Sequence, residues 1–232
     1  MKIADVLNRI RPRRRISGIA AALLPFEADG RLAVDAFQRH LNATRCAGLI
    51  NAVNMDTGYA NCLSDAEKSR VLALTREALG AGTPFVAGAY IEGREGDLAR
   101  LYRGCMDEIL RLGGTPILFQ SARMQGMTPK EKVALYREVC RGCPGVLAFE
   151  LGQVFAPSGE IWDEETFKGI LDIPEVAGVK HSSLDRMLEL RRLELRDDRR
   201  PDFRIYTGND YGINMIEYGS DYLLGLATFA PE

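Results

Sequence analysis

Val176-Ala177-Gly178-Val179-Lys180-His181-Ser182-Ser183 is the stretch on which the fold turns. A short apolar run closes on a lysine and passes into three polar residues. Such a run, bounded by turn signals, reads as a strand buried on both faces, the pattern of a parallel sheet. The lysine that closes it is chemically informative. A free lysine amine, with a pKa of about 10.4, is neutral in only about one molecule in two thousand at pH 7. Burial can lower that value by roughly 3–5 units. The neutral amine is then a competent Schiff-base former with a carbonyl substrate.

Outward from this stretch, strand and helix patterns alternate. Apolar runs at 19–24, 49–53, 85–89, 115–119 and 146–149 precede it, and runs at 203–206 and 222–226 follow. Between them apolar residues recur at helical spacing, as in Val34, Phe37 and Leu41, or Leu98, Leu101, Tyr102, Cys105, Ile109 and Leu112. Ser64 with Glu67, and Thr128 with Glu131, form capping boxes, the second with Pro129 at the first helical position. Asp163 stands where a cap for the helix carrying Phe167, Ile170 and Leu171 is needed.

Eight strands in this alternation read as α/β, a (β/α)8 TIM barrel. Only seven following helices are found, so the outer face of the last strand is left without one. The expectation is a chain truncated at its C-terminus, or a face covered by another subunit. An open doubly wound sheet would need a Gly-rich phosphate loop after the first strand, where Pro25, Phe26, Glu27, Ala28, Asp29 and Gly30 stand instead. Residues 1–15 read as a short N-terminal helix and a solvated basic linker (Arg11, Arg13, Arg14, Arg15), and 16–232 as the barrel domain.

Composition narrows the function classes. The net charge of −2 points neither to nucleic acid nor to a membrane surface. No apolar stretch approaches the roughly 20 residues that span a bilayer, and residues 1–10 lack the apolar core of a signal peptide. Five cysteines at low density predict reduced thiols and a cytoplasmic setting. Cys140-Arg141-Gly142-Cys143 has neither a second pair nor a nearby histidine and reads as packing. Two histidines, His40 and His181, make a histidine-rich metal site unfavourable, so no metal or cofactor is expected.

In a barrel of this kind the active site lies at the C-terminal ends of the strands. That selects Asp56, Thr57, Gly58 and Tyr59 after strand two, Phe149 and Glu150 at strand five, Lys180 and His181 at strand six, residues 207–210 at strand seven, and Ala227 and Thr228 at strand eight. An amine, carboxylates, hydroxyls and glycines are the parts for binding a small keto acid. Strand alternation turns His181, and Glu150 too if its strand continues, away from the barrel axis. His181 therefore reads as packed or capping. Asn209 and Asp210 read as caps of the next helix. The Arg-, Asp- and Glu-rich run 188–204 reads as a solvated face, and Tyr59 and Tyr90 as possible aromatic walls.

Several of these segments together resemble one family. Ala21-Ala22-Leu23-Leu24-Pro25-Phe26 with Asp29-Gly30, Asp56-Thr57-Gly58 with Leu63-Ser64 and Glu67, Gly178-Val179-Lys180, and Thr207-Gly208-Asn209-Asp210 follow in the order of the dihydrodipicolinate synthase and N-acetylneuraminate lyase superfamily. These are lysine-dependent aldolases of pyruvate and related 2-keto acids. The resemblance implies a barrel with extra C-terminal helices, in dimers or tetramers. It implies that Lys180 is the Schiff-base lysine and that Thr57 and Gly58 hold the substrate carboxylate. The family's first threonine, a proton-relay hydroxyl, is Asp56 here, and the glutamate that usually follows its glycine is Tyr59. Its strand-five tyrosine, the usual proton shuttle, is Phe149, which has no exchangeable proton.

The expectation is a cofactor-free lyase acting on a 2-keto acid such as pyruvate through Lys180. Asp56 is the first candidate for the missing acid–base group and Glu150 the second; Tyr59, Phe149 and Gly208 line the site. Phe149 and Asp56 also support a different class, a non-catalytic barrel that binds a small carboxylic acid as sensor or scaffold.

Overall fold

The computed structural model describes residues 3–10 and 12–231; Arg11 of the basic cluster lies outside the described residues. Eight parallel strands close into a barrel in sequence order, with β1 pairing both β2 and β8. They are β1 (Gly18–Ala21), β2 (Ile50–Val53), β3 (Phe85–Ala89), β4 (Thr115–Leu118), β5 (Val146–Leu151), β6 (Val176–Ser182), β7 (Arg204–Thr207) and β8 (Asp221–Leu224). After the N-terminal α1 (Ile3–Leu7), six helices pack outside: α2 (Val34–Cys46), α3 (Asp65–Leu79), α4 (Leu98–Arg111), α5 (Pro129–Cys140), α6 (Glu164–Leu171) and α7 (Arg186–Arg199).

The strand period of two divides the buried residues into two layers. Ile19, Ala21, Ala52, Val86, Ile117, Leu147, Phe149 and Leu223 pack together inside the barrel. Ala22, Val53, Ala87, Leu118, Ala148 and Val179 pack outward against helix residues such as Phe37, Val71, Met106, Ile109 and Phe167. The sequence-level capping boxes form: Ser64 Oγ accepts from the Glu67 amide and Thr128 Oγ1 from the Glu131 amide. Asp163 accepts from the Thr166 amide at 2.6 Å. Gly88 is required by a close approach, because a Cβ there would stand 2.1 Å from the carbonyl oxygen of Asn54.

Three expectations change. First, β5 runs on through Glu150 and Leu151, and β6 through Ser182, so both strands are longer than the sequence pattern shows. Second, among the described residues no α-helix follows β7. A 3₁₀ run, Asp210–Tyr218, stands there, kinked at Gly212 and ended by Gly219 at φ 120°. Two glycines that close together leave too few residues for a stable α-helix. Asn209 does cap this run, accepting from the Tyr211 amide at 3.0 Å. Third, the linker arginine Arg14 is only partly solvated: its guanidinium donates to Asp221 Oδ1 at 2.9 Å and to the Ile216 carbonyl at 3.0 Å. After β8 a short 3₁₀ turn, Leu226–Thr228, is the last element described. No helix among the described residues is long and apolar enough to cross a membrane.

Candidate active site

Lys180 lies on the inner face of β6, in register with Phe149 of β5 and Tyr206 of β7. It is 4% exposed. Its Nζ stands 4.3 Å from the centre of the Phe149 ring and 3.6 Å from Asp56 Oδ1. The second distance exceeds the roughly 2.7–2.9 Å of a direct charge-assisted hydrogen bond. The amine is therefore near its carboxylate without being clamped by it. Phe149 is fully buried and continues into an edge-to-face row with Phe119 (4.9 Å) and Tyr90 (5.4 Å). Burial first, then the nearby Glu92 and Cys62, push the Tyr90 phenol above its ordinary pKa.

Asp56, Thr57 and Gly58 form the short 3₁₀ turn that follows β2. Thr57 Oγ1 donates to the Ala21 carbonyl at 3.3 Å, and a Cβ on Gly225 would press within 2.8 Å of the Thr57 methyl. The turn is thus seated between the ends of β1 and β8. Gly58 lies 3.2 Å, at its absent Cβ, from the Ala22 carbonyl oxygen. Tyr59 closes the turn in the left-handed region at φ 59° and is 46% exposed, its ring 6.1 Å from that of Phe26. Gly208, just past β7, packs on the lysine itself: a Cβ there would stand 3.0 Å from Lys180 Cε and 2.0 Å from Ser182 Oγ.

Glu150, the second carboxylate candidate, is placed elsewhere. Because β5 continues, alternation turns it outward, into a fully buried network under α7. Its Oε2 meets His181 Nδ1 at 2.6 Å, and its Oε1 accepts from Arg192 Nη2 at 2.7 Å and from the Trp162 amide at 2.9 Å. Burial alone would raise the Glu150 carboxyl; the His181 imidazole and the Arg192 guanidinium beside it hold it below its ordinary value. His181 Nε2 pairs with Ser183 Oγ at 3.0 Å. Glu189, also on α7, is buried against Thr207 and Ser220, and burial raises its carboxyl. The run 188–204 is therefore a solvated face only in part.

The structure thus brings Lys180, Asp56, Phe149 and Gly208 together, with Thr57 and Gly58 on the adjoining turn. Tyr59 sits at the rim and Glu150 behind the wall. Sequence reasoning misses Ser182, which lies on the same strand face as Lys180, two residues nearer the mouth. The polar trio after the lysine reads as leaving the strand, and that hides it. A second buried lysine, Lys132 on α5, is chemically different: Glu160 holds its amine with both oxygens, at 2.5 and 2.7 Å. A cleft of about 590 Å³ opens at the opposite, N-terminal end, but its charges pair with one another, Arg9 with Asp197 and Arg14 with Asp221. That end of a barrel carries stability rather than chemistry.

No family model matches the chain. Among curated proteins it is similar to the 4-hydroxy-tetrahydrodipicolinate synthase of Stenotrophomonas maltophilia, 29% identical over 216 residues, covering 92% of this chain and 69% of that protein. Among solved structures, dihydrodipicolinate synthase from Thermotoga maritima superposes with a TM-score of 0.79 at 19% identity, covering 94% of this chain and 73% of that one. An E. coli prophage protein of the dihydrodipicolinic acid synthase family, solved in complex with pyruvate, superposes at 0.79 with 16% identity, over 93% of this chain and 72% of that one. In sequence the chain is thus similar to a 4-hydroxy-tetrahydrodipicolinate synthase, and in fold to solved dihydrodipicolinate synthases.

Proposed function

We propose that the protein is a class I, Schiff-base lyase acting on a 2-keto acid, with pyruvate the simplest candidate. The observation that carries this reading is the Lys180 amine, buried on the inner wall of the barrel beside one carboxylate and one aromatic ring. The sequence similarity to a synthase of this superfamily, and the pyruvate bound by a protein of the same fold, support the choice of substrate.

In this reading Nζ attacks the keto carbon, and loss of water leaves a protonated imine. Its positive charge lies over the Phe149 ring, an arrangement worth roughly 0.5–2 kcal/mol depending on desolvation. The imine withdraws electrons from the adjacent carbon. A carbon–carbon bond there can form or break, or a β-hydroxyl can leave. Thr57 and neighbouring amides hold the carboxylate. Asp56 moves the proton that a strand-five tyrosine would move if Phe149 bore a hydroxyl, and Glu150, tied by three partners, does not. The five free cysteines suit a reducing compartment. Apolar residues exposed near the strand ends, Leu184, Met187, Leu226 and Phe229 among them, suit a homodimer or homotetramer.

Exchange of the methyl protons of pyruvate for deuterium, followed by NMR, tests the reading, because exchange requires an imine–enamine cycle. Exchange by the wild-type protein and none by Lys180→Ala is expected. Pyruvate binding by calorimetry without any exchange would favour the second reading, an acid-binding barrel without catalysis, to which Phe149 lends its weight.

A further inference from the structure

Schiff-base formation creates a transient need that Lys180, Asp56 and Phe149 do not meet. When the amine adds to a ketone, the carbonyl π electrons move to oxygen, and that oxygen must be stabilised until it departs as water. Counted from the ammonium form of the lysine beside the Asp56 carboxylate, Asp56 can take two protons in turn from nitrogen and pass each to the oxygen; water leaves, nitrogen keeps the third proton in the protonated imine, and the step balances without an outside reagent. A carboxylate cannot, while it is charged, donate a hydrogen bond to the oxyanion. Phe149 can donate none.

We infer that the Ser182 hydroxyl is this donor, a further catalytic residue that contacts the substrate oxygen at the carbinolamine stage. The inference rests on the Schiff-base reading above. Ser182 is the last residue of β6 and 2% exposed, on the same face as Lys180. The point where a Cβ on Gly208 would sit is 2.0 Å from Ser182 Oγ and 3.0 Å from Lys180 Cε, so hydroxyl and lysine stem converge on one small space that the glycine leaves open. The hydroxyl is nearly uncommitted. Among the described residues its one hydrogen bond, to the Gly208 carbonyl, is 3.5 Å long, at the edge of useful geometry. The neighbouring Ser183, by contrast, is engaged by His181 and by the Asp185 amide at 3.0 Å each. A buried hydroxyl with so weak a partner is poised to donate to an oxygen placed beside it. Such donors, aimed at developing charge in a site closed to water, contribute about 10²–10³ in rate where they have been removed.

The experiment follows the rate at which pyruvate, in the presence of cyanoborohydride, adds irreversibly to the protein, read by intact mass. Wild type, Ser182→Ala and Ser182→Thr are compared. Ser182→Ala is expected to form the adduct roughly 10²–10³-fold more slowly, with Ser182→Thr restoring most of the rate and all three giving the same circular dichroism. Should Ser182→Ala fail to fold, Ser182→Cys, which keeps the volume and weakens the donor, is expected to fall between the two. Adduct formation by a folded Ser182→Ala or Ser182→Cys at the wild-type rate would overturn the role of Ser182 and leave the imine reading standing. No adduct on the wild-type protein would instead remove the imine reading, and this proposal with it.

Discussion

At Phe149 the ring that faces the Lys180 amine carries no hydroxyl, so the proposed reaction needs another acid to move its proton. Asp56, with Oδ1 3.6 Å from Nζ, is the carboxylate that meets the requirement, and it remains partly open to solvent for proton exchange. Asp56→Asn is expected to slow methyl-proton exchange of pyruvate by about 10²-fold or more, the scale of general acid–base catalysis, while a reduced adduct on Lys180 still forms. Unchanged exchange would contradict the assignment. The grouping of Lys180, Phe149 and Asp56 is legible from the sequence because each lies at or near the C-terminal end of a strand, on the face of the barrel where such sites are built. Ser182 is not, because three polar residues after a strand look like a turn whether or not the hydrogen-bond ladder continues. Arg192 and Glu189 are hidden for another reason: charge composition alone does not distinguish a solvated helix face from one that neutralises its charges in the interior.

Among the elements, β5 and β6 set the site. Their pairing in register brings Phe149 beside Lys180 on the inner face and Glu150 beside His181 on the outer. The two-residue period therefore separates the layer that carries Lys180 from a tethering layer on the same pair of strands. The end of β7 completes the inner layer with Gly208. Gly208→Ala is expected to displace Lys180 and Ser182, abolishing adduct formation while the far-ultraviolet circular dichroism persists, at a stability cost of about 1–3 kcal/mol for overpacking. Normal adduct formation by this variant would show that the close approach has no bearing on the amine. The helix boundaries at α3, α5 and α6 are readable from their caps. The 3₁₀ run after β7 is not, because Ile213 and Ile216 keep a helical spacing just past the kink at Gly212.

At the scale of the whole molecule, the closed barrel depends on buried charges that tie its outer wall to α7. The Glu150 carboxyl lies below its ordinary pKa in the folded state. Its stabilisation is therefore present above the unfolded glutamate value of about 4.3 and is lost as pH falls through the lower, folded value. Glu189, raised by burial, acts with the opposite sign: its contribution is present below the unfolded value and is lost as pH rises through its folded one. Glu150→Gln leaves Arg192 without its carboxylate, so a loss of about 3–5 kcal/mol at pH 7 is expected. Urea melts should show that loss shrinking as pH falls below about 4, and a pH-independent loss would contradict the ion-pair account. The central claim, that Lys180 is a carbonyl-attacking amine, is tested most directly by incubating the protein with pyruvate and borohydride and mapping the reduced adduct by peptide mass spectrometry. The adduct is expected on Lys180, with Lys132 unmodified behind its ion pair. An adduct on another lysine, or none with any of a panel of 2-keto acids, would contradict it.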